Sequence, residues 1–415
     1  MKYSLLSVRK CTALFFLVSS LVIALASAGY SQGFFGQALQ LYNQNKLDSA
    51  AVKFEQVVTS QPDNVDARAY LAETYRRLGQ TDEALKFARE VLAVDSCNAL
   101  AHLVIAEALR GRYYDPRSDS DSNWVHLSAA LRCDSTDGNV WLALWNDAIL
   151  REKNDVMDQA LRKLRETGFL TDAALSFGRW LLESLPPDAI LVTNGDMDTY
   201  PLLTLQETEN LRPDVVVAEY GLLGTQQDQR YLSKRYALPL PLDNASLDSL
   251  VKTDDAKKSP YWLAGKIFNG WVRMKNDGRL ERPLALSVTF DRSLYKDISD
   301  QFVYAGSYML WTERPEAVDS LNYALNSLAR VEADDFAGPW ASGQDRSPVR
   351  RVYNKYLIRN VTWTMLSCAE MLIDVGRIDE ARQQLDRAEK LESASELGAT
   401  FTERIAELRK KAGGE

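Results

Sequence analysis

Small and apolar residues recur at a spacing of 34 positions along the N-terminal third of the chain. Side chains of matching character stand at Ala38 and Ala72, Leu41 and Tyr75, Phe54 and Ala88, and Val57 and Val91. Short side chains at fixed positions allow two antiparallel helices to approach closely, and Gly79 falls where the turn between them needs a permissive backbone. The pattern predicts stacked helical hairpins over residues 29–170.

The same spacing continues beyond these positions and returns near the C terminus. A third hairpin is predicted to begin near Ala99, and a degenerate fourth pair of helices follows at residues 140–166. Matching residues reappear at Ala369, Leu372, Ala381, Leu385 and Ala388. This period, with small residues at the helix crossings, resembles the tetratricopeptide repeat. We therefore predict such repeats at both ends, the second set within residues 313–415.

Between the repeats the pattern changes to short apolar runs separated by amphipathic helices. Residues 189–193, 214–219 and 284–290 have the apolar, β-branched character of buried strands. Strands that alternate with helices favour right-handed crossovers and a parallel or mixed sheet. The sequence thus predicts a mainly α-helical protein with a small α/β domain at residues 171–312.

The first 28 residues have the order of a secretory signal peptide. Three basic residues precede an apolar run from Thr12 to Leu25, and Ala26-Ser27-Ala28 closes it. We expect cleavage after Ala28 and export to the periplasm. The alternative is an uncleaved N-terminal membrane anchor, because about 20 apolar residues span a bilayer and this run is only slightly shorter.

Composition excludes some classes of function. The formal net charge of -8 argues against a nucleic-acid partner, whose phosphates need a basic surface. Beyond the leader the cysteines are Cys97, Cys133 and Cys368, an odd number that predicts at least one free thiol. His102 and His126 are the only histidines, which argues against a multi-histidine metal site or a histidine-based triad. Each is predicted to lie on a helix surface.

The run Asn194-Gly195-Asp196-Met197-Asp198-Thr199-Tyr200-Pro201, followed by Gln206 and by Arg212-Pro213-Asp214, carries a family resemblance. It resembles the soluble C-terminal region of the protein O-mannosyltransferase-like membrane glycosyltransferases of Bacteroidetes. The resemblance implies ligand-binding roles for Asn194, Asp196, Asp198, Thr199, Tyr200, Gln206 and Arg212. In that family a multi-pass membrane domain performs the transfer, whereas a signal peptide and repeats stand in its place here, so no sugar-transfer activity is implied.

Asp196 and Asp198 follow a predicted strand at its carboxyl end, where open α/β sheets place ligands. Two carboxylates at this spacing could hold a divalent cation such as Mg²⁺, Mn²⁺ or Ca²⁺, and no other cofactor is expected. The alternative is structural: Asp198 or Thr199 caps a helix from Tyr200 to Glu209 that has Pro201 in its first turn.

The repeat period also predicts a partner groove. It places Glu73 and Glu107 in one row of the first helices, and Tyr42, Arg76 and Arg110 in the next. The guanidinium row could bind a carboxylate of an extended peptide. The alternative is that alternating Glu and Arg side chains only solvate an exposed helix face.

These patterns lead to two hypotheses of different class. The first is an exported repeat scaffold that binds a protein or glycan partner, accessory to envelope protein glycosylation and in contact with a membrane glycosyltransferase. The second is a divalent-metal-dependent transferase or hydrolase that acts on glycans through Asp196 and Asp198.

Overall fold

The computed structural model describes residues 33–110, 120–251, 260–332, 335–336, 348–394 and 400–413. The predicted signal peptide at residues 1–28 lies outside the described residues. The chain forms two compact units. The first ends at Leu109 and also includes Ser120–Asp134, and the second contains the rest of the chain.

Helical hairpins build the described part of the first unit. Their helices are α1 (residues 33–43), α2 (Leu47–Ser60), α3 (Val65–Arg77), α4 (Thr81–Val94), α5 (Ala99–Arg110) and α6 (Ser120–Cys133). The alanines at the predicted crossings, Ala38, Ala72 and Ala106, have no exposed surface. Gly79 adopts a φ of +76° in the turn after α3. The predicted repeat hairpins are therefore confirmed.

Two cysteines link the last hairpin of this unit covalently. A disulfide joins Cys97, just before α5, to Cys133, the last residue of α6. Cys368 is buried and free, so the predicted free thiol is confirmed.

The second unit surrounds a five-stranded mixed sheet. Its helices are α7 (Gly138–Leu150), α8 (Asn154–Glu166), α9 (Asp172–Ser184), α10 (Asp196–Glu209), α11 (Gln226–Tyr236), α12 (Asn244–Val251), α13 (Pro260–Asn276), α14 (Ser320–Leu328), α15 (Pro348–Asp374), α16 (Ile378–Ala394) and α17 (Thr402–Lys411). Its strands are β1 (Ile190–Thr193), β2 (Val216–Glu219), β3 (Leu284–Ser287), β4 (Phe302–Tyr304) and β5 (Tyr308–Trp311). The predicted mainly helical fold with a small sheet is confirmed.

The sheet has the strand order β2-β1-β3-β5-β4. β1 pairs in parallel with both β2 and β3, so that Ile190 lies opposite Val216 on one side and Leu284 on the other. β5 pairs antiparallel with β3 and with β4. The chain runs from β1 to β2 on one side of β1 and then crosses to β3 on the other side. The carboxyl ends of β1 and β3 therefore form a topological switch point.

The start of α10 differs from the sequence prediction. The helix begins at Asp196, with Gly195 as the N-cap residue and no side-chain cap. Asp198 and Thr199 lie within the helix and are buried, so the prediction that one of them caps it was wrong. Pro201 also lies inside the helix beyond its first turn.

The C-terminal hairpin has the same construction as the N-terminal repeats. Ala369 and Leu372 on α15, with Ala381 and Leu385 on α16, have no exposed surface. Gly376, in the turn between these helices, adopts a φ of +76°. The returning sequence pattern therefore corresponds to a real helical hairpin.

Candidate functional site

The loop after β1 carries the candidate ligand residues to the switch point of the sheet. β1 ends at Thr193 and α10 begins at Asp196, so two residues make the connection. Gly195 adopts a φ of +128°, a conformation that side chains rarely allow. This tight turn leaves Asn194 and Asp196 exposed at the sheet edge.

Asp198 points inward, with only 3% of its surface exposed. Its carboxylate accepts hydrogen bonds from the backbone N–H of Asn194, at 3.1 and 3.3 Å, and from the Thr289 hydroxyl. Burial raises the pKa of Asp198, and these hydrogen bonds only partly offset that effect. The side chain therefore joins the loop after β1 to the segment after β3.

Thr199, Tyr200 and Gln206 are also buried and bonded within the fold. The Thr199 hydroxyl donates to the Gly195 carbonyl at 2.6 Å, and the Tyr200 hydroxyl donates to Asn146 Oδ1 at 2.7 Å. Gln206 Nε2 donates to the carbonyls of Arg212 and Val215, at 2.9 and 2.8 Å. These bonds fix α10 in place.

Arg212 lies near the start of β2, at the sheet edge opposite to Asp196 and Asp198, because β1 and β2 run parallel. Nη1 donates to the carbonyls of Leu182 and Leu185, each at 2.9 Å, and Nη2 donates to Pro186 at 2.8 Å. Nε and Nη2 also form a bidentate pair with Asp214, at 2.9 and 2.7 Å. All five guanidinium N–H groups are thus engaged, three by carbonyls at the end of α9 and two by the Asp214 carboxylate.

The structure does not gather the seven predicted ligand residues into one site. Asn194 and Asp196 are exposed at the carboxyl edge of the sheet, and Arg212 is engaged at the other edge. Among the described residues, no group of three or more His, Cys, Asp or Glu side chains is placed to hold a metal ion. The divalent-cation site at Asp196 and Asp198 stays a prediction.

Two carboxyl groups that the sequence analysis missed lie near the same edge. Glu219 ends β2, and its Oε2 accepts a hydrogen bond from the Leu222 N–H at 2.7 Å. Burial raises the pKa of Glu219 to about 7, and the charges of Asp196 and Asp198 add to the effect. Asp228 on α11 is 3% exposed, and burial and the charge of Glu219 raise its pKa.

The signal for Glu219 was its position as an acidic residue at the end of an apolar strand, where α/β sheets place site residues. Asp228 has no comparable signal, because it lies inside an otherwise polar helix. A carboxyl group with a pKa near 7 can both accept and donate a proton at neutral pH. In Glu219, however, one carboxylate oxygen is already bonded within its own turn.

The predicted groove residues form an ion network on the first helices. Glu73 is 6% exposed and is bound by Arg76 through two hydrogen bonds, of 2.7 and 2.8 Å. Arg76 Nη1 lies 3.7 Å from Glu107 Oε2. The Tyr42 hydroxyl donates to Glu73 Oε1 at 3.5 Å, and burial and Glu73 raise the pKa of Tyr42 to about 12.

This network brings Tyr42, Glu73, Arg76 and Glu107 together, while Arg110 is the last residue of α5. Arg76 already has two carboxylates as partners within the fold. A carboxylate of a bound peptide would therefore have to compete with both of them.

Two segments of the chain match known families. Residues 35–108 match the tetratricopeptide repeat, and residues 174–250 match TMEM260-associated domain 2. The chain contains a tetratricopeptide repeat domain. The same hairpin construction recurs in α15 and α16, so helical hairpins of this type both precede and follow the strands in the sequence.

Several solved structures of repeat proteins are similar to this chain. A thermophilic tetratricopeptide protein from Thermus thermophilus is 19% identical, with 50% of this chain and 97% of that protein covered and a TM-score of 0.33. A tetratricopeptide repeat protein from Parabacteroides merdae is 11% identical, with 92% and 99% covered and a TM-score of 0.27. Yeast Tom70 is 13% identical, with 92% and 66% covered and a TM-score of 0.24.

No curated protein matches the chain. In the part of the chain that the structure describes, no helix combines the length and the apolar character needed to cross a membrane.

Proposed function

We propose that this protein is an exported scaffold that binds a protein or peptide partner on the first helices of its tetratricopeptide repeats. One observation carries the proposal: helical hairpins of the repeat type stand on both sides of the sheet in the sequence. Solenoids of this kind use their concave surfaces for extended partners.

The contacts around the motif after β1 support a structural role over a catalytic one. Thr199, Tyr200 and Gln206 use their polar groups on neighbouring helices and loops, and Arg212 uses all of its donors. A catalytic site would need such groups turned toward a substrate. The motif is therefore proposed to be structural.

The proposed location is the periplasm, which the protein reaches by export. The signal-peptide pattern of residues 1–28 supports it, and so does the Cys97–Cys133 disulfide, since disulfides persist mainly in oxidising compartments. The resemblance of the motif to membrane glycosyltransferases supports a partner of that class or its glycan. The finer proposal is thus an accessory role in envelope glycosylation.

The groove can be tested with a charge reversal at a partly exposed position. Glu107→Lys places a cation beside Arg76 at a position whose side chain is 21% exposed. The matched control is Glu90→Lys, because Glu90 lies on α4, the second helix of its hairpin, and forms a similar pair with Arg68 at 3.8 Å. Both tagged variants and the parent chain are used to capture partners from envelope extract.

Glu107→Lys removes a carboxylate that competes for Arg76 and adds a cation to the groove, so we expect a carboxylate-bearing partner to be recovered about tenfold more efficiently than by the parent chain. Glu90→Lys should recover the partners at the parent level. If the two variants recover the same partners equally, the first helices do not form the binding surface.

A further inference from the structure

The two histidines of the chain contact each other. His102 lies on α5 and His126 on α6, and their Nδ1 atoms are 2.9 Å apart. The ring centroids are separated by 5.1 Å, with the planes inclined by 45°. Both rings are half-buried, so one side of the pair faces solvent. The expectation of two unrelated surface histidines therefore missed their pairing across the hairpin.

The hydrogen bond on the far side of His102 sets its tautomer. His102 Nε2 lies 3.2 Å from the Ser96 carbonyl oxygen, which can only accept. Nε2 must therefore carry the proton, and neutral His102 presents an unprotonated Nδ1 toward His126. Histidines that bind metals commonly donate their second ring N–H to a backbone carbonyl in this way.

The hairpin that carries the pair is covalently braced. The Cys97–Cys133 disulfide joins the entry to α5 with the end of α6 and holds their Cα atoms 5.3 Å apart. The helices therefore cannot separate freely at this end. Such a frame keeps two ligands in place before an ion arrives, which lowers the entropy cost of binding.

We propose that His102 and His126 form an open two-histidine site for a divalent transition metal ion, with Zn²⁺ as the representative. Zinc binds imidazole nitrogen at about 2.0–2.1 Å, and tetrahedral geometry then needs the nitrogens about 3.3 Å apart. The observed separation of 2.9 Å is close to this value, so the two nitrogens have to move apart by about 0.4 Å. Imidazole favours Zn²⁺, Cu²⁺ and Ni²⁺ over Mg²⁺ and Ca²⁺.

The site is incomplete within the described residues, since no third His, Cys, Asp or Glu side chain there completes a metal-binding group. Water fills the remaining positions on the solvent side. This separates the site from the predicted carboxylate site at Asp196 and Asp198, which would select oxygen-seeking cations.

Calorimetry on the tag-free exported chain at pH 7.5 tests the proposal. We expect one Zn²⁺ per chain, no heat from Mg²⁺, and at least a tenfold loss of Zn²⁺ affinity in His102→Gln and in His126→Gln. The control Asp196→Asn with Asp198→Asn should bind Zn²⁺ like the parent. Undiminished Zn²⁺ binding in the double histidine variant, or none by the parent at millimolar Zn²⁺, overturns the proposal.

A measurement on the parent chain covers the case in which a variant does not fold. Zn²⁺ added to ¹⁵N-labelled protein should shift the Nδ1 resonances of both rings and leave His102 Nε2 protonated. It should also convert His126 from the Nδ1–H tautomer, which donates to His102 without the metal, to the Nε2–H tautomer. Unchanged Nδ1 resonances at saturating Zn²⁺ would show that the pair is only a hydrogen bond.

Discussion

Arg212 shows why a sequence motif of polar residues need not be a binding site. Its guanidinium donates hydrogen bonds to three carbonyls at the end of α9 and to the carboxylate of Asp214. The backbone carbonyl of Arg212 accepts a hydrogen bond from Gln206. Asp214 also accepts from the Asp188 N–H at 2.9 Å. The Arg212 side chain therefore closes the unsatisfied end of a helix just before the sheet begins.

Replacing Arg212 with alanine should destabilise the second unit. The three carbonyls lose their donors and Asp214 loses its cation, and a hydrogen bond to a charged group contributes about 1.5–3 kcal/mol. Because such bonds are not additive, we expect a loss of about 3 kcal/mol in the free energy of unfolding, measured by urea titration.

Arg279→Ala is the matched control for this substitution. Arg279 and Asp277 also stand two residues apart and form a 2.7 Å ion pair, but their side chains are 63% and 55% exposed. Exposed pairs contribute little, so the control should change stability by less than about 0.5 kcal/mol. Equal effects of the two substitutions would mean that the Arg212 network is not structural.

Glu219 should make the stability of the second unit depend on pH. Burial raises its pKa from 4.5 to about 7, so between these values the folded state holds a proton that the unfolded state has released. Stability therefore falls as the pH rises through this window. Asp198 and Asp228, whose pKa values are also raised by burial, act in the same direction.

Glu219→Gln removes the part of the pH dependence that comes from Glu219, because the amide stays neutral and keeps an oxygen for the Leu222 N–H. Between pH 5 and pH 8 the parent should lose roughly 2 kcal/mol more unfolding free energy than the variant. The exposed Glu281→Gln serves as the control and should follow the parent curve. Parallel curves for the parent and Glu219→Gln would show that Glu219 is charged at little cost in the folded state.

At the scale of helices and strands, the sequence predicts the elements that leave a regular pattern of residues, which are the helical hairpins and the strands β1 to β3. Buried alanines at the helix crossings and turn glycines at positions 79 and 376 give the hairpins, because only short side chains and a positive φ fit there. β1 to β3 follow from their apolar runs. The predicted strands were up to three residues too long, since edge residues such as Thr289 bond to side chains instead of a neighbouring strand.

Other elements depended on contacts that are distant in the sequence. β4 and β5 were missed because they are short and rich in aromatic residues, and only their antiparallel pairing with each other and with β3 defines them. The start of α10 was missed because a glycine at φ +128°, and not a side chain, ends the preceding loop. The histidine pair required knowing that α5 and α6 bring positions 102 and 126 together.

At the scale of the whole molecule, the predicted domain boundaries stay a prediction, and the two compact units divide the chain at a different point. The sequence places the helices α7 and α8 with the repeat domain of residues 29–170, whereas contacts assign them to the second unit from Ser135 onward. Tyr200 on α10 shows the reason. Its hydroxyl bonds Asn146, and its ring lies 5.1 Å from that of Trp145 in an edge-to-face arrangement.

Two fragments test this boundary. The fragment of residues 135–415 retains α7 and α8. The fragment of residues 171–415 begins at the boundary predicted from the sequence and lacks both helices. The shorter fragment lacks the α7 residues that cover Tyr200, so this side chain becomes exposed. It also loses the 2.7 Å pair between Arg165 and Glu209. Burying one large apolar side chain contributes about 1.5–3 kcal/mol, and α8 alone buries Met157, Leu161 and Leu164.

We therefore expect residues 135–415 to unfold in one cooperative urea transition and residues 171–415 to lose at least about 4 kcal/mol, which approaches the total stability of a typical domain. Tryptophan fluorescence and far-ultraviolet circular dichroism should report coincident transitions for the longer fragment only. Equal urea midpoints for the two fragments would show that the second unit is complete without α7 and α8. These helices would then belong to the repeat domain.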